Sequence, residues 1–131
     1  MKEPLFFLAL GSLFTHELDA MPNHEWRGLP ILGALPDEVA MAAFVALHVP
    51  FFAAVVALVA SRVERIRTTA RLAVASFIVV HGGLHALSMG DPAYEFSSLL
   101  SKSLIFGGAV LGALYLALEI RSRRGAKPAA T

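Results

Sequence analysis

"PLFFLALGSLFTHELDA", residues 4–20, decides the fold. Its opening run, residues 4–14, reads as lipid-facing helix, yet alone it would extend only about 16 Å at 1.5 Å per residue. A membrane-crossing helix needs about 20 mostly apolar residues. The segment approaches that length only if "THELDA" belongs to it, which puts His16, Glu17 and Asp19 inside or at the edge of the apolar layer. An ionisable side chain in that position costs roughly 2.5–3.5 kcal/mol on insertion scales, so it marks a functional position by default.

The composition agrees with a membrane reading. Of 131 residues, 56% are hydrophobic and 16% charged, with a mean hydropathy of +0.66, against about 25% charged residues in soluble domains. The length predicts one domain. The formal net charge is +1, and the basic residues fall in two short clusters instead of along a face, which argues against a nucleic-acid partner. The chain has no cysteine, excluding disulfides, thiolate metal sites and covalent c-type haem attachment. Any metal would have to be held by His, Asp, Glu or water.

Three further apolar segments, roughly 38–60, 69–89 and 98–119, join 4–20 to predict an all-α, integral membrane four-helix bundle over residues 1–124, with 125–131 as a short cytoplasmic tail. Lys2 is offset by Glu3 and no small-x-small site follows the apolar run, so the first segment reads as a retained helix instead of a cleaved leader. Orientation follows from Arg62, Arg65, Arg67 and Arg71 between the second and third segments, and from Arg121, Arg123, Arg124 and Lys127 after the fourth. The positive-inside rule makes both clusters, and both termini, cytoplasmic. "HELDAMPNHEWR" and "GDPAYEFSS" then face the other side, with Trp26 and Tyr94 as interfacial belt residues. "GLPILGALP", broken by Pro30 and Pro36, is too short to span and predicts an interfacial segment or a lid.

Helical spacing collects the polar residues into stripes. Ser12, Thr15, His16 and Asp19 share one face of the first helix, with Glu17 about a right angle away. Asp37, Met41, Phe44 and His48 share a face of the second, and His81, His85 and Ser88 a face of the third. His81 and His85 have the i, i+4 spacing that lets two imidazoles reach one ion. The assignment is therefore His16, His81 and His85 as metal ligands, Asp19 as general base or orienting group, Ser12 as hydrogen-bond donor, and His48 as an additional cofactor ligand. In the outer loop, Glu25 reads as a solvated, headgroup-contacting residue, and Arg27 as a partner of Glu17, Asp19 or Glu25. Asp37 and Glu38 read as the start of the second helix, one of them a candidate site carboxylate; Asp91 and Glu95 read as exposed. Gly108 and Gly112 have GxxxG spacing, which permits close helix approach within the bundle or across a homodimer.

With "THELDA…HEWR", "LHVP" and the histidine-bearing third helix in view, the chain resembles an uncharacterised group of small four-helix bacterial membrane proteins. The likeness centres on Thr15 to Ala20, His24 to Arg27 and His48 to Pro50. It implies a multi-pass protein of the bacterial inner (plasma) membrane and carries over no catalytic role. In arrangement only, Ser12-x-x-x-His16, a carboxylate and His81-x-x-x-His85 are similar to motifs of the alkaline ceramidase and progestin-receptor-like membrane hydrolases, which have seven spans.

Three functions fit these residues. The first is a metal-dependent hydrolase, with zinc in first place and iron in second, acting on a lipid-like ester or amide drawn from the membrane. The second is a haem-binding electron-transfer module, with His48 facing His81 or His85. The third is a non-catalytic accessory subunit or a carrier, its stripes buried against a partner membrane subunit.

Overall fold

The computed structural model describes residues 2–125; residue 1 and residues 126–131, the greater part of the expected tail with Lys127, lie outside the described residues. Among the described residues there are four α-helices and no strand: α1 (Lys2–Asp19), α2 (Asp37–Val59), α3 (Glu64–Ser88) and α4 (Leu99–Gly125). Two short 3-10 turns, Glu25–Gly28 and Leu32–Ala34, fill the connection between α1 and α2. The helices α2, α3 and α4 are long and apolar enough to cross a membrane. α1 is shorter, at 18 residues, and takes in the ionisable turn at its C-terminal end. The α-helix thus continues through "THELD", because every residue of that turn is compatible with helix and the first strong breaker, Pro22, comes afterwards.

α4 packs between α1 and α3, and small residues allow it. A Cβ on Gly108 would stand 3.1 Å from Ser12 Cβ of α1, and one on Gly112 would stand 3.2 Å from the Ala75 carbonyl of α3. The GxxxG face therefore serves contacts within the chain. α2 joins the others mainly through side chains: Phe14 stacks on Phe52 at 4.2 Å, and His48 Nε2 meets Glu17 Oε2 at 2.9 Å. Val55 and Val59 of α2 enter one buried cluster with Phe6, Leu10, Ala75 and Tyr115.

The two ends of the bundle differ in chemistry. At one end Lys2 Nζ meets Glu119 at 2.6 Å, Arg123 meets the same carboxylate at 3.0 Å, and Arg71 bonds Glu3 at 2.6 Å and the Val59 carbonyl at 3.1 Å. The start of α1, the α2–α3 connection and the last turns of α4 thus share this end. The loop from Met21 to Pro36 and the segment from Met89 to Ser98 cover the opposite end, where the histidines lie.

Candidate metal centre

The last turns of α1 and α3 bring three imidazoles together. His16 to His81 and His16 to His85 are each 5.0 Å between ring centroids, and His81 to His85 is 4.6 Å. His16 is 1% exposed and His85 8%; His81 is half-buried. Between His81 and His85, Gly82 lets α3 pack closely on α4, its hydrogen facing Ala109 Cβ where a Cβ would stand only 2.7 Å away.

The fourth member is Glu25. One donor atom from each of His16, Glu25, His81 and His85 lies within 4.8 Å of every other. The Nε2 atoms of His81 and His85 are 3.1 Å apart; Glu25 Oε2 is 3.6 Å from His16 Nε2, and Glu25 Oε1 is 3.9 Å from His85 Nε2. A tetrahedral ion bound at about 2.0–2.1 Å sets its donors roughly 3.3 Å apart, so donor pairs now up to 4.8 Å apart would have to close by at most about 1.5 Å around an ion. His85 Nδ1 meets the Tyr94 hydroxyl at 3.1 Å, which holds the ring in place from its far side. Burial, followed by the charge of Glu25, raises the Tyr94 hydroxyl pKa, so it stays protonated.

Several polar atoms here have no protein partner among the described residues: both ring nitrogens of His16, Glu25 Oε2 and Asp19 Oδ2, all buried. A buried polar group left unpaired costs about 1–3 kcal/mol, and native structures avoid it. The protein instead concentrates these groups at one point. Burial pushes the Glu25 carboxyl up to about 8, with the nearby Glu17 and Asp19 carboxylates adding to the effect. A cation at this point would relieve both problems.

Sequence reasoning missed Glu25, which is 15% exposed at its side chain and not the solvated loop residue expected. Its position depends on distant contacts. His24 turns the chain with φ of 48°, in the left-handed region that non-glycine residues rarely adopt. Trp26 then buries to 3% exposure and donates its indole N–H to Asp37 at 3.0 Å. Arg27 grips both oxygens of the same carboxylate at 2.8 and 2.9 Å. Arg27 thus pairs with Asp37, and not with Glu17, Asp19 or Glu25; Trp26 is a buried anchor, not a belt residue. The useful signal was Trp26 itself, a large side chain that must bury and so draws its neighbour inward.

Ser12 donates to the Leu8 carbonyl at 2.9 Å and packs where α4 passes, one turn from the histidines. His48 is placed elsewhere again. Its Nδ1 meets the Phe44 carbonyl at 2.6 Å and its Nε2 meets Glu17. Because a carbonyl only accepts, Nδ1 carries a proton there. The bis-histidine arrangement required His48 to face His81 or His85; it faces Glu17 on α1 instead.

A pocket of about 630 Å³ adjoins the group, lined among others by Glu25, His81 and His85 and roofed by the two loops, which His24 and Glu95 join at 2.8 Å. His16 is not among its lining residues, so the donor set is reached from the side of the other three ligands.

No curated protein matches the chain, and no solved structure does. A family described as "Family of unknown function (DUF6713)" matches it over residues 2–122. The chain, with its four helices and its His/Glu group, belongs to that family.

Proposed function

We propose that this is an integral membrane protein of four spans, both termini cytoplasmic, that holds a divalent metal ion with His16, Glu25, His81 and His85 in the outer half of the bundle. The observation that carries the reading is the unpartnered donor set: His16, 1% exposed with neither ring nitrogen bonded, beside the unpaired Glu25 Oε2. Three imidazoles and a carboxylate without sulfur suit zinc first and iron second.

A divalent ion in such a set supplies Lewis acidity and can bring the pKa of a coordinated water to about 7. The reaction we assign is metal-dependent hydrolysis of an ester or amide in a lipid-like substrate, with the protein in the bacterial inner membrane. The chain's own residues would divide the work. His16, His81 and His85 hold the ion, Glu25 completes the set or yields its position, and Tyr94 orients His85. Asp19, half-buried one turn beyond His16 with an unpartnered oxygen, is the base that takes a proton. Such a base must come within hydrogen-bond reach of its proton, directly or through one water.

The test is elemental analysis of detergent-purified wild type, Glu25→Ala and a His81→Ala/His85→Ala double variant, with a visible spectrum of each. About one zinc or iron per chain in the wild type, lost in the double variant, is the expected result. A wild type with no metal, or a double variant that keeps its full content, overturns the reading. A Soret band would move the assignment to haem.

A further inference from the structure

The pocket beside the donor set is lined by residues of both loops and of α3. Its α3 wall consists of His81, Leu84, His85 and Ser88, which recur at i, i+3, i+4 and i+7 and so share one helix face. Leu84 lines the pocket and is 57% exposed. The pocket therefore borders the exposed apolar face of α3. From Leu84 a stripe continues down the same helix through Val80, 60% exposed, and Phe77, 46% exposed. It runs about 10 Å at 1.5 Å per residue. Its lower end touches the site itself, for the Phe77 ring stacks on the His81 ring at 5.4 Å with 24° between planes.

We infer that the metal site takes the polar end of an amphiphile, a hydrocarbon chain of which lies along the Phe77, Val80 and Leu84 stripe. This rests on the metal reading above and names the shape of what that site accepts. The polar pocket has room for one headgroup, being of ordinary ligand-site size. The stripe offers one chain an apolar path that begins at a ligand. Recognition then has two separable parts: a metal-seeking group in the pocket, and apolar contact along α3 that grows with chain length.

The experiment uses the full chain in detergent, loaded with cobalt(II), whose visible bands report tetrahedral coordination and its change on ligand binding. The probes are acetohydroxamate and dodecanohydroxamate, which share a metal-binding head and differ in tail. The dodecyl compound is expected to bind at least about tenfold more tightly than the acetyl compound. Val80→Asn and Leu84→Asn should each reduce that ratio by about threefold or more, and Val80→Asn, outside the pocket lining, should leave acetohydroxamate binding unchanged. Both positions are exposed, so the fold is not at stake. Leu114→Asn, at an exposed position of α4 away from the pocket, controls for general partition into micelles and should keep the wild-type ratio. A wild-type ratio near one, or equal losses at Leu114, Val80 and Leu84, overturns the stripe while the metal reading stands. A wild type without cobalt bands overturns the metal reading and this inference with it.

Discussion

Gly82→Ala should disable the site without touching a ligand. Gly82 lies between His81 and His85 in the α3 sequence and is buried against α4. An added Cβ would stand 2.7 Å from Ala109 Cβ, whereas carbon atoms settle about 3.5–4.0 Å apart. Neither methyl can rotate away, so the helices must separate by about 1 Å. Overpacking of this kind costs about 1–3 kcal/mol, offset by about 1 kcal/mol because alanine favours helix over glycine. The stability loss is thus modest. The geometric loss is larger in effect: His81 and His85 ride on α3, while His16 and Glu25 do not, and a site must be held within about 0.5 Å to work. Metal affinity, read by chelator competition in detergent, should fall about tenfold or more. Adding Ala109→Gly removes the opposing methyl, so the double variant should regain most of the affinity at a stability near the wild type's, the helix-propensity gain at 82 offsetting the loss at 109. If Gly82→Ala binds metal as the wild type does, or if Ala109→Gly fails to restore what was lost, the α3–α4 distance does not govern the donor set.

Three further outcomes follow from other contacts. Glu25 has its pKa raised from 4.5 to about 8, so its own contribution to the stability of the metal-free protein should be fully present below about pH 4.5 and be lost as pH rises to about 8. Thermal melts across that range should flatten in Glu25→Gln, and in metal-loaded wild type the slope should reverse, because ligation needs the deprotonated carboxylate; an unchanged slope in Glu25→Gln counts against Glu25 as the source. Tyr94→Phe removes the hydroxyl at 3.1 Å from His85 Nδ1 and should weaken metal binding by about tenfold with little change in melting temperature, whereas equal affinity would make Tyr94 a packing residue only. Glu119→Gln, at the other end, leaves Lys2 and Arg123 without their shared carboxylate. It should cost about 1–2 kcal/mol, less than a fully buried pair because Lys2 is 39% exposed, and metal content should not change; a loss of metal there would show that the two ends are coupled.

The residues on α1 and α3 were legible because helical periodicity is local. His81 and His85 are four apart, and the helix alone puts them on one face; His16 needed only the further inference that ionisable residues in an apolar segment turn inward. Glu17 was read correctly as pointing away from that stripe, but nothing local could say that His48, thirty-one positions on, would receive it. That pairing depends on how α2 is rotated, and α2 has little periodicity to report its rotation, being apolar on nearly every side. Ser12 illustrates a different limit. It has the right face and the wrong height, one turn below the ligands, where small size matters for the passage of α4 by Gly108.

Glu25 was illegible for a reason that bears on how the site works. Its carboxylate reaches the histidines only through a loop whose shape is set by a left-handed His24, a buried Trp26 and the Arg27–Asp37 pair on α2. Three of the four donors are therefore built into helices, and the fourth is carried on a loop tethered to a separate helix. The rigid ligands fix where an ion would sit. The loop ligand depends on the buried Trp26 and on a tether, Arg27 with Asp37, whose side chains are each about half exposed and which is weaker than helix packing. A carboxylate that binds in one state and leaves a position open in another is what a hydrolytic site needs and a purely structural site does not. Asp37→Asn, which loosens the tether without approaching the donors, separates the two. In a catalytic site it should speed ligand exchange at cobalt while the ion is retained, whereas in a structural site it should simply lower retention. Loss of cobalt in Asp37→Asn, with exchange in the remaining loaded fraction unchanged, would refute the argument that Glu25 is the movable ligand.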